Sequence, residues 1–306
     1  MIYFTNTEGL PAPLVHAITS RDQNDEDVYN AIRVSTLLKP PLQAALQKLI
    51  GPVEDVSDRI YALLGMTIHE ILAENMSQVR FYRECDEYTI SGEPDYYVKE
   101  PGGFTIYDWK ISSVWEAIHG VKPERIEQLN MYRWLMSGPK YNYKVTSLKV
   151  GYIFRDWSKL AVVREGGDYP KKQVMIREVP IWSDQKVEEF VTERLLAFVK
   201  AWRSVNYLNN FGREIPDDVI CTPDERWQKD TKYAVYKTAK SARATKLYDE
   251  ADWTTGVVER GLKQLGPEAW VEKRPGEATR CMYYCNVSNH CPWWAANKPK
   301  ENADVE

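Results

Sequence analysis

Between residues 58 and 207, the hydrophobic pattern of the chain alternates between the period of a helix and the extended pattern of strands. The segments follow one another as a helix over 58–77, strands over 79–111, a helix over 123–136, strands over 145–154 and 172–179, and a helix after Ser183. Pro123 and Ser183 are residues typical of helix starts, and Gly, Pro and Ser bound the strand segments. This order predicts an α/β fold.

The chain is long enough, at 306 residues with 43% hydrophobic side chains, to form one large domain or a domain with a smaller module. Its pattern changes character over residues 208–224, where the segment NNFGREIPDD predicts a linker. We therefore predict a core with an N-terminal helical part over 1–207, a second module over 221–296 and a disordered tail over 297–306.

The sequence predicts a protein that is cytoplasmic and has no membrane partner. No apolar run approaches the roughly 18 residues that a membrane helix needs, and the start, MIYFTNTEGL, lacks the regions of a secretory signal. The formal net charge is −4, so the charge of the whole chain would not attract a polyanion. Any nucleic-acid binding must therefore be local.

Two carboxylates and a lysine form the first candidate site. A hairpin turn at 101–103 would bring Asp95 beside Asp108, and strand alternation places Asp108 and Lys110 on one face. Converging carboxylates suit Mg²⁺ or Mn²⁺, and a nearby ammonium can act on a metal-bound water or on a phosphate oxygen. Phosphodiester hydrolysis fits this set. Taken alone, the Asp108-x-Lys110 motif fits an ordinary charge pair on a surface strand better.

Two helices supply further candidates. His69 follows Gly65 by one helical turn, so both lie on one face, and Gly65 would let that helix approach another backbone closely. A neutral imidazole there could bind metal. Gln128 and Tyr132 share a face of the next helix and could hydrogen-bond to phosphate or brace Lys110. Singly, each residue also fits an ordinary histidine or the polar edge of an amphipathic helix.

Four short motifs occur in a fixed order along the chain: Gly65-x-x-x-His69, Gly92-x-x-Asp95, Asp108-x-Lys110 and Gln128-x-x-x-Tyr132. Over residues 58–180 this ordered set resembles the RecB-type nucleases of the PD-(D/E)XK superfamily. The resemblance implies a restriction-endonuclease-like core, a central mixed sheet flanked by helices.

The same resemblance implies a role for each residue. His69, Asp95 and Asp108 would bind Mg²⁺ or Mn²⁺. Lys110 would position or activate the attacking water, and Gln128 and Tyr132 would help to hold substrate and Lys110. The implied activity is metal-dependent hydrolysis of DNA, as an exonuclease, in phage DNA processing, recombination or repair.

Three of the five cysteines fall within residues 281–291, which is not the pattern of a disulfide framework in a chain of this length. Together with Cys221 they offer four thiolates, the number that a tetrahedral zinc site or an iron–sulfur cluster needs: Cys221, Cys281, Cys285 and Cys291. Their spacing does not separate the two cofactors.

The C-terminal cysteines look like those that follow the core of CRISPR-associated and AddB-type iron–sulfur exonucleases, and the tail is similar to phage-encoded members of that group. The resemblance implies a [4Fe–4S] cluster, with structural Zn²⁺ as the alternative. Cys85, in the strand region, is predicted to pack as a small apolar residue.

A basic stretch begins near Cys221. From Arg226 to Lys246 there are seven basic residues against the single acid Asp230, with aromatic residues between them. Phosphates pair with such cations and unpaired bases stack on such rings, so DNA ends or single strands are the predicted partner. The candidate contacts are Arg226, Trp227, Lys237, Lys240 and Arg243, and Tyr233 and Tyr236 lie among them. A solvated helix face is the alternative interpretation.

Two other functions compete with the nuclease. One is a catalytically silent nucleic-acid-binding module that keeps the fold, although binding alone does not require the full set of His, two Asp and Lys. The other is a zinc-ribbon interaction protein in which the Asp108 region is incidental, and the visible absorbance of the purified protein would distinguish it from an iron–sulfur enzyme.

Overall fold

The computed structural model describes residues 2–20, 31–51, 53–73 and 79–299. The chain forms two compact units, which divide between Glu214 and Ile215. This boundary lies inside the predicted linker, but the helix before it runs to Phe211 and ends at Gly212, whose φ of 65° is left-handed. The linker therefore starts later than the predicted residue 208.

The first unit contains most of the secondary structure. Its elements in chain order are β1 (Tyr3–Thr5), α1 (Ala12–Thr19), β2 (Ile32–Arg33), α2 (Val34–Leu37), α3 (Pro41–Ile50), β3 (Val53–Asp55), α4 (Ile60–Ala73), β4 (Phe81–Cys85), β5 (Tyr88–Gly92), β6 (Tyr96–Glu100), β7 (Gly103–Ser112), α5 (Val114–Ile118), α6 (Pro123–Met136), β8 (Val145–Phe154), α7 (Lys159–Glu165), β9 (Val174–Val179) and α8 (Asp184–Phe211).

The predicted helices of the first unit form for the expected local reasons. Pro123 occupies the first turn of α6, and the Ser183 hydroxyl accepts a hydrogen bond from the Lys186 amide at the start of α8. The helix predicted over 58–77 is α4, which starts after a short 3₁₀ turn; residues 74–78 lie outside the described residues.

A mixed four-stranded sheet in the order β6-β7-β8-β9 is the centre of the first unit. β7 and β8 run parallel, whereas β6 and β9 are antiparallel to their neighbours. A parallel pair needs a crossover connection, which α5 and α6 provide. The chain is therefore an α/β protein, as predicted. A three-stranded sheet, β2-β5-β4, and the pair β1-β3 accompany the central sheet.

Helix α6 lies inside the core of the first unit. Its C-terminal half, from Leu129 to Met136, is buried on all sides. It packs among strands β4, β5, β7 and β8 and helix α8, and its indole Trp134 Nε1 donates to Glu188 Oε2 at 2.5 Å. A helix that is packed on all sides can neither rotate about its axis nor slide along it, so the polar residues on its first two turns are held against the sheet.

The second unit is built on a smaller sheet. Its elements are β10 (Lys232–Tyr236), β11 (Lys246–Asp249), α9 (Glu250–Thr254), α10 (Val257–Leu265), β12 (Trp270–Arg274), α11 (Thr279–Tyr283) and α12 (Pro292–Asn297). The strands are antiparallel in the order β11-β10-β12. The predicted tail begins inside α12, at Asn297, and residues 300–306 lie outside the described residues.

The basic stretch is not helical. It forms β10, then a loop over residues 237–245, then the start of β11, so its alternative interpretation as a helix face is wrong. Across the part of the chain that the structure describes, helices that combine enough length with enough apolar character to cross a bilayer are absent.

Candidate functional site

Strands β6 and β7 bring two carboxylates together. Tyr96 is paired with Tyr107, and the antiparallel register continued by one residue places Asp95 opposite Asp108. The amide N–H of Trp109 donates to Asp95 Oδ2 at 2.7 Å, which fixes the carboxylate against β7. The predicted hairpin is confirmed, and the main chain holds both acids in place.

Asp108 and Lys110 lie on the same face of β7 and touch. Lys110 Nζ donates to Asp108 Oδ1 at 2.8 Å. Asp108 is 0% exposed, and within the described residues its second oxygen, Oδ2, has no hydrogen-bond partner. Burial raises the pKa of Asp108 to about 6, although the charge of Lys110 opposes that rise. A buried acceptor without a donor is costly, and a cation would relieve it.

His69, on α4, completes the cluster from the other side. Its Nδ1 lies 3.3 Å from Asp95 Oδ1. Burial acts to raise the pKa of Asp95, but the hydrogen bond from His69, the charge of Lys110 and the Trp109 amide together hold it below its ordinary value. Asp95 is therefore ionised at neutral pH.

The close approach expected at Gly65 is found elsewhere. A Cβ atom at Gly65 would have no described atom within 4 Å, so that expectation is wrong. At Gly92 of β5, a Cβ would lie 2.7 Å from Leu135 Cδ1 and 2.9 Å from Tyr132 Cε1. The missing side chain at Gly92 is what lets α6 bring Tyr132 against the sheet.

Gln128 and Tyr132 interact with each other. Gln128 Nε2 donates to the Tyr132 hydroxyl at 2.9 Å. Burial, with the nearby charges of Asp108 and Asp95, raises the pKa of Tyr132 beyond its ordinary range, so the phenol stays neutral. Lys110 donates to Asp108, whereas Gln128 pairs with Tyr132, so bracing of Lys110 by α6 is not seen among the hydrogen bonds of the described residues.

A cleft of about 590 Å³ opens beside these residues. His69, Asp95, Lys110 and Tyr132 all line it. Two further cations line it, Arg33 at the end of β2 and Arg80 just before β4. Neither arginine was predicted from the sequence, because neither lies in a motif and both reach the cleft only through the pairing of distant strands.

The donor set of the first unit fits a hard divalent cation. Two carboxylates and an imidazole are ligands that Mn²⁺ and Mg²⁺ sites use, and the unpartnered oxygen of Asp108 provides an acceptor for such an ion. Within the described ranges, however, no group of three or more His, Cys, Asp or Glu side chains is gathered as a metal site. His69 and Asp108 each lie beside Asp95, so these three side chains are the ones that could bind one ion.

The segments that contain the four predicted cysteine ligands of the second unit meet, since the Arg280 amide donates to the Arg226 carbonyl oxygen at 3.0 Å, but among the described residues the thiols are not gathered as a metal site. Burial raises the pKa of Cys221 to about 12, and the negative charge of Glu225 and of any ionised Cys291, Cys281 or Cys285 adds to that rise. Burial and the thiols of Cys285 and Cys291 likewise raise the pKa of Cys281 to about 11. The fold thus brings the segment after Cys221 beside the start of the C-terminal triplet, about 60 residues further along the chain.

Two arginines hold the segment around Cys221 in place. Arg226 donates to the carbonyl oxygen of Cys221 and lies 3.9 Å from the ring centroid of Trp293. Arg280 donates to the Glu225 carbonyl oxygen at 2.9 Å. The predicted DNA contact Arg226 is therefore used inside the second unit. Cys85 is separate from this cluster; it packs in the core of the first unit, as predicted.

The basic stretch exposes its cations but few of its rings. Lys237, Lys240 and Arg243 are exposed on the loop between β10 and β11. Trp227 is 45% exposed, with Arg280 stacked 4.3 Å from its ring centroid. The other two rings of the stretch are in the core, since Tyr233 and Tyr236 are buried. Only Trp227, of these three aromatic residues, offers a face for base stacking.

Comparison with known proteins leaves the family open. No family model matches the sequence, and no curated protein matches it. Among solved structures, one described as "Crystal structure of SSO0001" is similar over 60% of this chain and 83% of its own length, with a TM-score of 0.42 and 16% identity. Function is therefore inferred from the residues and geometry of the two units.

Proposed function

We propose that this protein is a metal-dependent deoxyribonuclease of the PD-(D/E)XK type, with a restriction-endonuclease-like core in its first unit. The observation that carries the proposal is Asp108. Its carboxylate is fully buried, one oxygen is held by Lys110 and the other has no described partner, while Asp95 lies opposite it across the hairpin. A protein that only needed a stable strand would gain nothing from this costly arrangement.

His69, Asp95 and Asp108 would hold Mg²⁺ or Mn²⁺. When bound, the ion would lower the pKa of a water molecule and neutralise charge on the scissile phosphate. The protein's contribution is to keep the carboxylates ionised and fixed. Asp95 is ionised because its pKa is lowered, and Asp108, with a pKa of about 6, is mostly ionised at neutral pH.

Lys110 and Tyr132 would act on the substrate. The Lys110 ammonium is held at 2.8 Å from Asp108 Oδ1 and lines the cleft, so it can orient the attacking water or donate to a phosphate oxygen as charge develops. Because Gln128 donates to the Tyr132 oxygen, the phenol hydrogen is directed to another acceptor. A neutral phenol suits hydrogen bonding to a phosphate.

The second unit would hold a [4Fe–4S] cluster on Cys221, Cys281, Cys285 and Cys291, with Zn²⁺ as the alternative. Support for a common centre comes from the Arg280 amide, which donates to the Arg226 carbonyl oxygen, and from Arg226, which donates to the Cys221 carbonyl oxygen, because these contacts hold the Cys221 segment beside Cys281. Metal would lower the pKa of these thiols and offset the cost of burying them. We propose that this centre stabilises the second unit and takes no part in hydrolysis.

DNA is the proposed substrate, as single strands or duplex ends, with exonuclease action in the cytoplasm, or in the host cytoplasm if the protein is phage-encoded. The exposed Lys237, Lys240 and Arg243 supply local positive charge, and Trp227 a ring for an unpaired base. These contacts would add affinity without taking part in the chemistry.

The test is digestion of DNA labelled at the 5′ or the 3′ end, single-stranded and duplex, with Mg²⁺, Mn²⁺ or a chelator. We expect metal-dependent release of short products by the wild-type protein. Lys110→Ala should lower the cleavage rate about a hundredfold or more while still binding metal and DNA. Lys99→Ala, an exposed lysine on β6, is the matched control. Cleavage by purified Lys110→Ala at the wild-type rate would refute the proposal, and binding without cleavage by the wild-type protein would favour a silent module.

A further inference from the structure

Two arginines reach the cleft by way of strand β5. Arg33 of β2 is paired in register with Ser91 of β5, and Phe81 of β4 is paired with Gly92. β2 and β4 flank β5 on opposite sides. Arg33 on one side and Arg80, the residue before Phe81, on the other therefore both reach the end of β5. The chain continues from Gly92, at this end of β5, and reaches Asp95 three residues later. Two cations are thus delivered to the cleft that contains Asp95 and Lys110.

Arg80 is oriented by an ion pair. Its Nη2 lies 3.2 Å from Glu93 Oε2, and the two side chains are 22% and 29% exposed. An exposed arginine loses conformational freedom when it binds a ligand, but this one is already ordered. Glu93 lies only two residues from Asp95, so the guanidinium is held close to the proposed metal ligands but is separate from them.

The proposed chemistry does not require these arginines. The carboxylates would hold the ion and Lys110 would act at the scissile phosphate, so the two guanidinium groups that line the same cleft are not needed for that step. Guanidinium groups match the geometry of phosphate oxygens and bind them with two hydrogen bonds. A DNA strand presents a phosphate at about every 3.4 Å along the duplex axis, so a strand with one phosphate at the metal brings neighbours into the cleft.

We propose that Arg33 and Arg80 form a subsite for a second phosphate of the DNA strand, next to the scissile one. The inference rests on the proposed nuclease function, which it extends to a substrate with at least two phosphates. Glu93 occupies Arg80 when DNA is absent, and it opposes the incoming phosphate by charge. The two neighbours Arg80 and Glu93 thus have opposite effects on DNA affinity.

The experiment compares two substrates, an oligonucleotide and the minimal diester thymidine 5′-(p-nitrophenyl phosphate), which has one phosphate. For Arg33→Gln and Arg80→Gln, the loss of kcat/KM on the oligonucleotide should exceed the loss on the minimal diester by about tenfold, mainly through KM. Arg164→Gln, on the exposed part of α7, is the matched control and should lose nothing on either substrate. Equal losses on both substrates would show that the arginines support the fold or the chemistry, and would overturn the subsite, as would no loss on either.

A measurement of DNA binding tests this inference independently of the nuclease proposal. Fluorescence anisotropy with labelled DNA in chelator measures affinity without cleavage, so it remains decisive if the wild-type protein cleaves nothing. Arg80→Gln should weaken binding about tenfold and Glu93→Gln should strengthen it; a change of the same sign in both variants would overturn the subsite. Repeating the measurement with 5′-phosphate and 5′-hydroxyl strands identifies the phosphate. An arginine effect confined to 5′-phosphorylated DNA assigns the subsite to a terminal phosphate, and an equal effect on both assigns it to an internal one.

Discussion

The two units fix their polar groups in different ways. In the first, main-chain hydrogen bonds of a hairpin place Asp95 and Asp108, and a large core holds α6 against them. In the second, the sheet has a small core of its own, and a separate small cluster consists of Ala278, Cys281 and Trp294, with Cys291 packed against it. The first unit therefore positions its two carboxylates through its own sheet and core. We propose that the second unit, with less apolar packing, depends on the proposed metal centre of its cysteines.

The substitution with the largest expected effect should unfold the second unit and leave the first intact. Cys281→Ser should remove one of the four proposed ligands and unfold the second unit around it, because binding of a structural metal contributes on the order of 10 kcal/mol to such sites. Limited proteolysis should then degrade the chain after Glu214 and leave the first unit resistant. Metal analysis and visible absorbance of anaerobically purified protein identify the ion, a brown protein with iron indicating the cluster and zinc without iron indicating a structural site.

The matched control for that variant is Cys85→Ala, which lies in the core of the first unit. It should change neither the metal content nor the colour. If Cys281→Ser keeps the metal content and protease resistance of the wild-type protein, the four thiols do not share one centre, and the contrast between the units disappears.

The buried charge of Asp108 should give the first unit a characteristic dependence of stability on pH. Its pKa is raised from 3.8 to about 6 in the folded state, so the folded protein binds this proton more tightly than the unfolded chain. The contribution of Asp108 to the free energy of unfolding is greatest below pH 4, falls as pH rises toward 6 and is constant above it. The total fall should be about 3 kcal/mol.

Urea denaturation of metal-free wild-type protein and Asp108→Asn, from pH 4 to 7.5, measures this dependence. The difference between the two proteins isolates Asp108, because most other groups titrate alike in both. A difference that stays constant across that range would contradict the buried, uncompensated carboxylate. Added Mn²⁺ should stabilise the wild-type protein and not the variant.

Two glycines of the first unit should respond oppositely to the same substitution. Gly92→Ala should lower the free energy of unfolding by about 1–3 kcal/mol, because the new methyl group meets Leu135 and Tyr132. Gly65→Ala, in a helix with open space around the position, should raise it by about 0.5–1 kcal/mol. Thermal unfolding of the two variants checks both signs. Destabilisation by Gly65→Ala would mean that α4 is packed more closely than the described residues indicate.

The smallest expected effect lies on the loop of the second unit. In the variant in which Lys237, Lys240 and Arg243 are all replaced with Ala, the plot of log affinity for DNA against log salt concentration should be less steep. Its slope should fall in magnitude by about one for each phosphate that is no longer neutralised. The single-turnover rate at saturating DNA should change little. Trp227→Ala should weaken binding of single strands more than of duplex, since only unpaired bases can stack on the ring. Unchanged affinity and salt dependence in the triple variant would mean that this loop is ordinary solvated surface and does not bind DNA.

Local signals made much of the first unit predictable. Pro123 starts α6, Ser183 caps α8, and the turn before Gly103 closes the hairpin that joins Asp95 to Asp108. These features depend on residues close together in the chain, so a single sequence contains the information.

Features that depend on distant pairing were not predictable in the same way. Arg33 belongs to a strand of two residues whose place is set by β5, almost 60 residues later. The three short strands of the second unit were missed because its basic residues gave no clear alternation. The space around Gly65 and Gly92 depends on how helices pack, which residue type alone does not encode.

The parallel pairing of β7 with β8 also determines when the cleft can assemble during folding. Phe104 is paired with Val145, about 40 residues later, and the intervening chain contains α6 with Gln128 and Tyr132. Pairing at such separation must overcome the entropy of closing a long loop, so it is slow compared with formation of the β6–β7 hairpin. We expect the two aspartates to meet early and the tyrosine to arrive only with β8. A nascent chain would thus bring its proposed metal ligands together before the rest of the cleft forms, and the proposed cleavage activity would appear in the last kinetic phase.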